Sequence, residues 1–202
     1  MQVKVREHEW SFANDQSGLD ELFSTLDTFV EQHSLYITSM MINGHVIYDD
    51  FRESMEDILP EIQEIQIVVS SPEQLRDELL VTLDQYLNRA IPEIKLLTTH
   101  LYQGATADSW EKFSQLIEGL DWIYSMMNNI GKLEDLSSSG LDTSSITEQL
   151  GDIMRNLEDP VENKDLIQMG DIVTYELQPV LETMHQPLKE LITHKVVKPY
   201  VN

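Results

Sequence analysis

The sequence predicts an α+β protein: a ferredoxin-like βαββαβ domain over residues 1–70, then an all-α four-helix bundle over residues 71–202. Three observations carry this prediction. Apolar spacing alternates between two and three-to-four up to Ser70, and from there on stays helical almost throughout. Asn43-Gly44 separates two strand-like runs, and it tolerates the positive φ angles of a type I′ hairpin turn. At the change of regime, Ser70-Ser71-Pro72-Glu73 places proline at a first helical position.

Val3 and Val5 alternate with Lys4 and Arg6 as in a strand, while Trp10 and Phe12 fall on the opposite parity, which implies a bulge or the strand's end. A helix follows, with Ser17 or Asp20 as cap and Leu19, Leu22, Phe23, Leu26, Phe29 and Val30 on one face. Leu35–Ile42 and His45–Tyr48 form the hairpin. Asp49 and Asp50 then precede a second helix bearing Phe51, Met55, Ile58, Leu59 and Ile62, where negative charge suits the helix dipole. Glu64–Ser70 alternates as a strand. Strand, helix, strand, strand, helix, strand is most economically a split βαβ sheet with both helices on one face.

The first long helix carries Leu75, Leu79, Leu83, Tyr86, Leu87, Ile91, Ile94, Leu97 and Leu101 and stops at Gly104. The second, capped by Asp108, carries Trp110, Phe113, Ile117, Leu120, Tyr124 and Met127 and stops at Gly131. Leu133–Ser145, rich in serine, is a connection. The third helix runs from Ile146 to Leu157 and ends before Asp159-Pro160; the fourth spans Leu166–Leu191. The tail Lys195–Val201 has some strand character. Pro92, Pro179 and Pro187 fall inside helical stretches, where each removes one backbone bond and bends the helix. Such bends open a partner groove or simply follow packing.

The chain has 13 basic and 36 acidic residues, a net charge of −23, and no cysteine. Residues 1–70 carry −11 of this and residues 71–202 carry −12, so folded surfaces rather than an acidic tail bear it. Binding to a phosphate backbone or to anionic lipid is disfavoured, because both need a basic footprint. Without cysteine there is no disulfide scaffold, thiolate metal site or cysteine nucleophile. No run is long enough for a signal peptide or a membrane span, which suits a cytoplasmic protein.

Glu182 and His185 have the i, i+3 spacing of a carboxylate-bridged metal site, but no second Glu-x-x-His accompanies them. His8, His33, His45, His100 and His194 have no partner at ligand spacing. Nucleophile-elbow and nucleotide-cradle motifs are absent, so no catalytic, cofactor or metal residue is assigned. Methionine is frequent; Met40-Met41, Met55, Met126-Met127, Met154, Met169 and Met184 line either an adaptable groove or ordinary cores. Asp171–Pro179 reads as a polar anchor for the last helix or as a recognition surface.

Leu116-Ile-Glu-Gly-Leu-Asp-Trp-Ile123 and the Asp171–Pro179 run resemble segments of small acidic helical proteins of Gram-positive bacteria. That resemblance implies a bacterial helical domain and brings no activity with it. In size, acidity and helix content the chain is also similar to bacterial export chaperones. The reading that follows is a non-catalytic interaction module (adaptor, regulator or chaperone) whose protein partner presents a basic surface. Alternatives are a metal- or small-molecule-binding bundle using Glu182 and His185, and an acidic mimic of DNA.

Overall fold

The computed structural model describes residues 1–134 and 136–193, so the expected strand character of Lys195–Val201 lies outside the described residues. Two compact units divide the chain, Met1–Leu75 and a second beginning at Arg76.

In the first unit, Val3 and Val5 bury one face of β1 (Gln2–Val5), and Arg6, at φ 53°, reverses the chain into β2 (His8–Ser11). The parity change after Val5 is thus a tight turn between two strands. With neither Gly nor Asn there, the sequence gives no sign of a left-handed residue. Asp15, rather than Ser17 or Asp20, caps α1 (Gln16–His33), its carboxylate accepting from Gly18 N at 2.9 Å. A Cβ on Gly18 would lie 2.2 Å from the Ala13 carbonyl oxygen, so this entry needs glycine.

The hairpin of β3 (Tyr36–Ile42) and β4 (His45–Ile47) turns on Asn43 (φ 48°) and Gly44 (φ 87°), both left-handed as a type I′ turn requires. The second helix is shorter than its periodicity suggests. α2 (Phe51–Glu56) gives way to a 3₁₀ turn, Leu59–Glu61, because Pro60 has no N–H with which to continue the ladder. β5 (Glu64–Ser70) completes the unit.

Sheet order is β2-β1-β5-β3-β4, with β1 and β5 parallel and all other neighbours antiparallel. This corrects the ferredoxin-like expectation, in which the return strand of the hairpin would lie beside β1. β5 takes the central place instead. It is seven residues long and buries Ile65, Ile67 and Val69, whereas β4 has three residues and exposes His45 and Val46. A strand that short cannot cover a central position, and it stays at the edge. Leu19, Leu22, Leu26 and Phe29 of α1 and Met55 of α2 share one core with the sheet.

Asn43 ties the hairpin to β5. Its Oδ1 accepts from Gln63 N (2.9 Å) and Glu64 N (3.2 Å), its Nδ2 donates to the Glu61 carbonyl (3.0 Å), and its own N donates to the Glu64 carbonyl (2.9 Å).

The second unit holds four helical stretches around one core. Ser71 and Gln74 cap α3 (Pro72–Gln103) reciprocally, Ser71 Oγ accepting from Gln74 N and Gln74 Oε1 from Ser71 N. The cap of α4 (Ala107–Leu133) is Thr106 in a capping box with Ser109, not Asp108. α5 (Thr143–Asn163) runs through Pro160 instead of ending before it, because Pro160 is itself buried and continues the stripe of Ile146, Leu150, Ile153 and Leu157. The last stretch comprises α6 (Leu166–Ile172), a π turn (Val173–Leu177) and α7 (Gln178–Leu191). Pro179 follows the π turn directly. Its ring conflicts with the Tyr175 carbonyl four residues back, and the widened turn absorbs that conflict.

Side-chain pairs show that chain neighbours run antiparallel. Buried Arg76 at the start of α3 bonds Glu134 just past α4, and also Asp77. Burial works against its charge, but the bonds to Asp77 and Glu134 outweigh that and raise its pKa. Gly131 faces Thr143 between α4 and α5, and Asn156 Nδ2 donates to Glu176 at 3.0 Å between α5 and the π turn.

Asn43→Gly keeps the turn's backbone angles but removes every side-chain bond to residues 61–64, and should cost about 1–2 kcal/mol. Asn43→Asp keeps the acceptor and should cost less. Urea unfolding of the full chain measures both.

Candidate functional site

α3 presents two seams. Along the first it meets the last helical stretch through polar pairs: His185 Nε2 with Asp84 Oδ1 (2.9 Å), Lys95 with Glu182 (2.7 Å), Gln178 Nε2 donating to Thr98 Oγ1 (3.0 Å), and the Tyr102 hydroxyl donating to Asp171 Oδ1 (2.7 Å). The two residues at metal-ligand spacing are therefore each held by α3. Glu182 faces a lysine, and among the described residues no three His, Asp or Glu side chains come together as a metal set. Asp171 anchors the last helix as one reading of its run expects, with Tyr102 as its partner, while Tyr175 is 73% exposed. Thr174, on the π turn, buries a hydroxyl that makes no well-formed hydrogen bond. Its proximity favours the Tyr102 phenolate, but the Asp171 carboxylate, burial and Tyr175 together outweigh this and raise the phenol's pKa.

Along the second seam α3 and α4 enclose a groove of about 340 Å³. Ile94, Leu97 and Leu116, all buried, form its apolar wall, and Tyr86, Arg89 and Lys112 supply polar groups. This volume falls at the lower end of the range for small-ligand pockets. Helical spacing produces the lining: Tyr86, Ala90, Ile94 and Leu97 recur every three or four residues on α3, and on α4 Gln115 and Leu116 lie three and four residues after Lys112. Tyr86 closes one end. Its ring lies 4.9 Å from that of Trp122, and its hydroxyl occupies the space where a Cβ on Gly119 would be. Burial raises the Tyr86 phenol's pKa, with Arg89 pulling partly against it, so the hydroxyl remains a donor at neutral pH. Glycine in the Leu116–Ile123 run thus has a packing reason, which periodicity alone did not reveal.

The remaining features singled out in the sequence disperse. Met40, Met55, Met127, Met169 and Met184 fill the two cores rather than line a groove. Pro179 borders a cleft of about 230 Å³ with Ile146 and Met184. His45 is exposed beside the hairpin turn. Among the described residues no helix is long and apolar enough to cross a membrane.

Both seams lie within residues 78–186, which match the family model described as "Domain of unknown function (DUF8042)". The chain belongs to this family. The DUF8042 segment runs from the first turns of α3 into α7 and so includes the groove, the polar seam and the π turn, but not the sheet unit. No curated protein and no solved structure matches the chain.

Gly119→Ala should force the Tyr86 ring out of its seat and cost about 1–3 kcal/mol. Removing the hydroxyl takes away the shortest clash and leaves only a 3.1 Å approach to the ring. Thermal melts of Gly119→Ala, Tyr86→Phe and the double variant should therefore show the second change recovering part of the first one's loss.

Proposed function

We propose that the chain is a non-catalytic, cytoplasmic interaction module, an adaptor, regulator or small chaperone, whose protein partner carries a basic surface. One observation carries this reading: Tyr124, 36% exposed on α4, lies in a shallow cleft against α5 that Glu148 and Arg155 also line, with further carboxylates on the neighbouring turns. Asp121 is one turn back on α4, and Glu148 and Asp152 are exposed on α5. Arg155, the sole basic residue of α5, is engaged by Asp152. An exposed aromatic with Glu148 in its cleft and Asp121 one turn away suits an incoming Lys or Arg, whose charge is attracted by the ring face and by the acids together.

This arrangement favours a protein partner over the metal-binding alternative, because Glu182 and His185 are committed to Lys95 and Asp84. Mimicry of DNA is a narrower version of the same reading, and a captured partner that DNA displaces would single it out.

Tyr124→Ala with Glu148→Lys should weaken capture of the partner at least about tenfold while leaving the melting temperature nearly unchanged. Capture by the unaltered chain should weaken as salt rises. Partner recovery that ignores both the double variant and salt would overturn the assignment of this face.

A further inference from the structure

The groove between α3 and α4 differs in character from the rest of this acidic molecule. Its wall is apolar, and Arg89 and Lys112 line it together with a single carboxylate, Glu93. Arg89 anchors its stem by donating from Nε to the Gln85 carbonyl at 3.2 Å, and among the described residues no carboxylate lies within ion-pair distance of its guanidinium. Glu93, one turn along α3, does not close on it. Lys112 projects from the facing helix, where Asp108 holds it at 3.3 Å from its own helix. The Tyr86 hydroxyl makes no hydrogen bond to another described residue. In a chain of net charge −23, a guanidinium and an ammonium line a groove with an apolar wall.

We propose that this groove binds a small amphipathic carboxylate, with the head on Arg89, Lys112 and the Tyr86 hydroxyl and the hydrocarbon against Ile94, Leu97 and Leu116. Charge-assisted bonds from a guanidinium supply orientation, and the apolar wall supplies the burial that makes a short carbon chain worth taking from water. Glu93, which also lines the groove, opposes a second negative charge, so the site selects a monoanion over a dianion. The site is separate from the Tyr124 face on the other side of α4 and does not depend on the identity of any protein partner.

Titration of the ¹⁵N-labelled full chain with sodium octanoate tests this. Saturable amide shifts should concentrate at residues 86–97 and 112–119. Arg89→Gln should weaken binding by about tenfold, Glu93→Gln should strengthen it, and octanol should bind more weakly than octanoate. Ala90→Leu fills the groove from its edge and should abolish the response while the spectrum remains that of the folded chain. Absence of saturable shifts, shifts spread over the whole surface, or equal binding of octanoate by Arg89→Gln would overturn the proposal. Equal binding of octanol and octanoate would overturn it as well, since the groove would then be reading hydrocarbon alone.

Discussion

The register of α3 is the constraint on which the helical unit depends. One helix is read on two sides, by α4 through Arg76 and Tyr86 and by the last stretch through Asp84, Lys95, Thr98 and Tyr102. Hydrophobic stripes alone tolerate sliding, because leucine against leucine is favourable at many offsets. Polar pairs at several levels of a helix do not, and a slip of one turn would break the bonds of Asp84, Lys95, Thr98 and Tyr102 to the last stretch together. The π turn belongs to the same constraint. An extra residue per turn rephases the last helix just before Pro179, so that Asp171 on one side and Gln178 on the other can both meet α3.

Much of this was legible in the residues, because stripes and turn chemistry are local. The positions of the four long helical stretches, the Asn43-Gly44 turn and the start at Pro72 follow from spacing and backbone preference. Three things were not local. The place of β5 in the sheet depends on which strand can cover a central position, and element order does not encode that. The Arg6 turn uses a residue that seldom takes a left-handed conformation. Pro160 stays within its helix because its ring is buried there, a fact of tertiary packing that overrides the usual reading of proline as a stop.

The candidate sites show the same division. Glu182 and His185 attracted notice for their spacing, yet spacing is blind to what stands opposite, and Lys95 and Asp84 stand there. The groove was invisible for the converse reason. Its cations come from different helices, and neither Arg89 nor Lys112 belongs to any recognisable motif. Net charge, read along the chain, says that the surface is acidic everywhere; only the fold shows where two cations meet an apolar wall.

The position of β5 has a further consequence for how the first unit is assembled. β5 is the last strand of its unit to be made, yet it lies between β1 and β3, which have no direct pairing with one another. Before residues 64–70 arrive, the chain holds only two separate hairpins, and isolated hairpins are marginal in water. The sheet is therefore closed by a keystone delivered late, and Asn43, already placed by its turn, presents an unfilled set of donors and acceptors that recognises residues 63 and 64 as they dock. Folding of this unit is accordingly dominated by contacts distant in sequence, which makes it cooperative and comparatively slow.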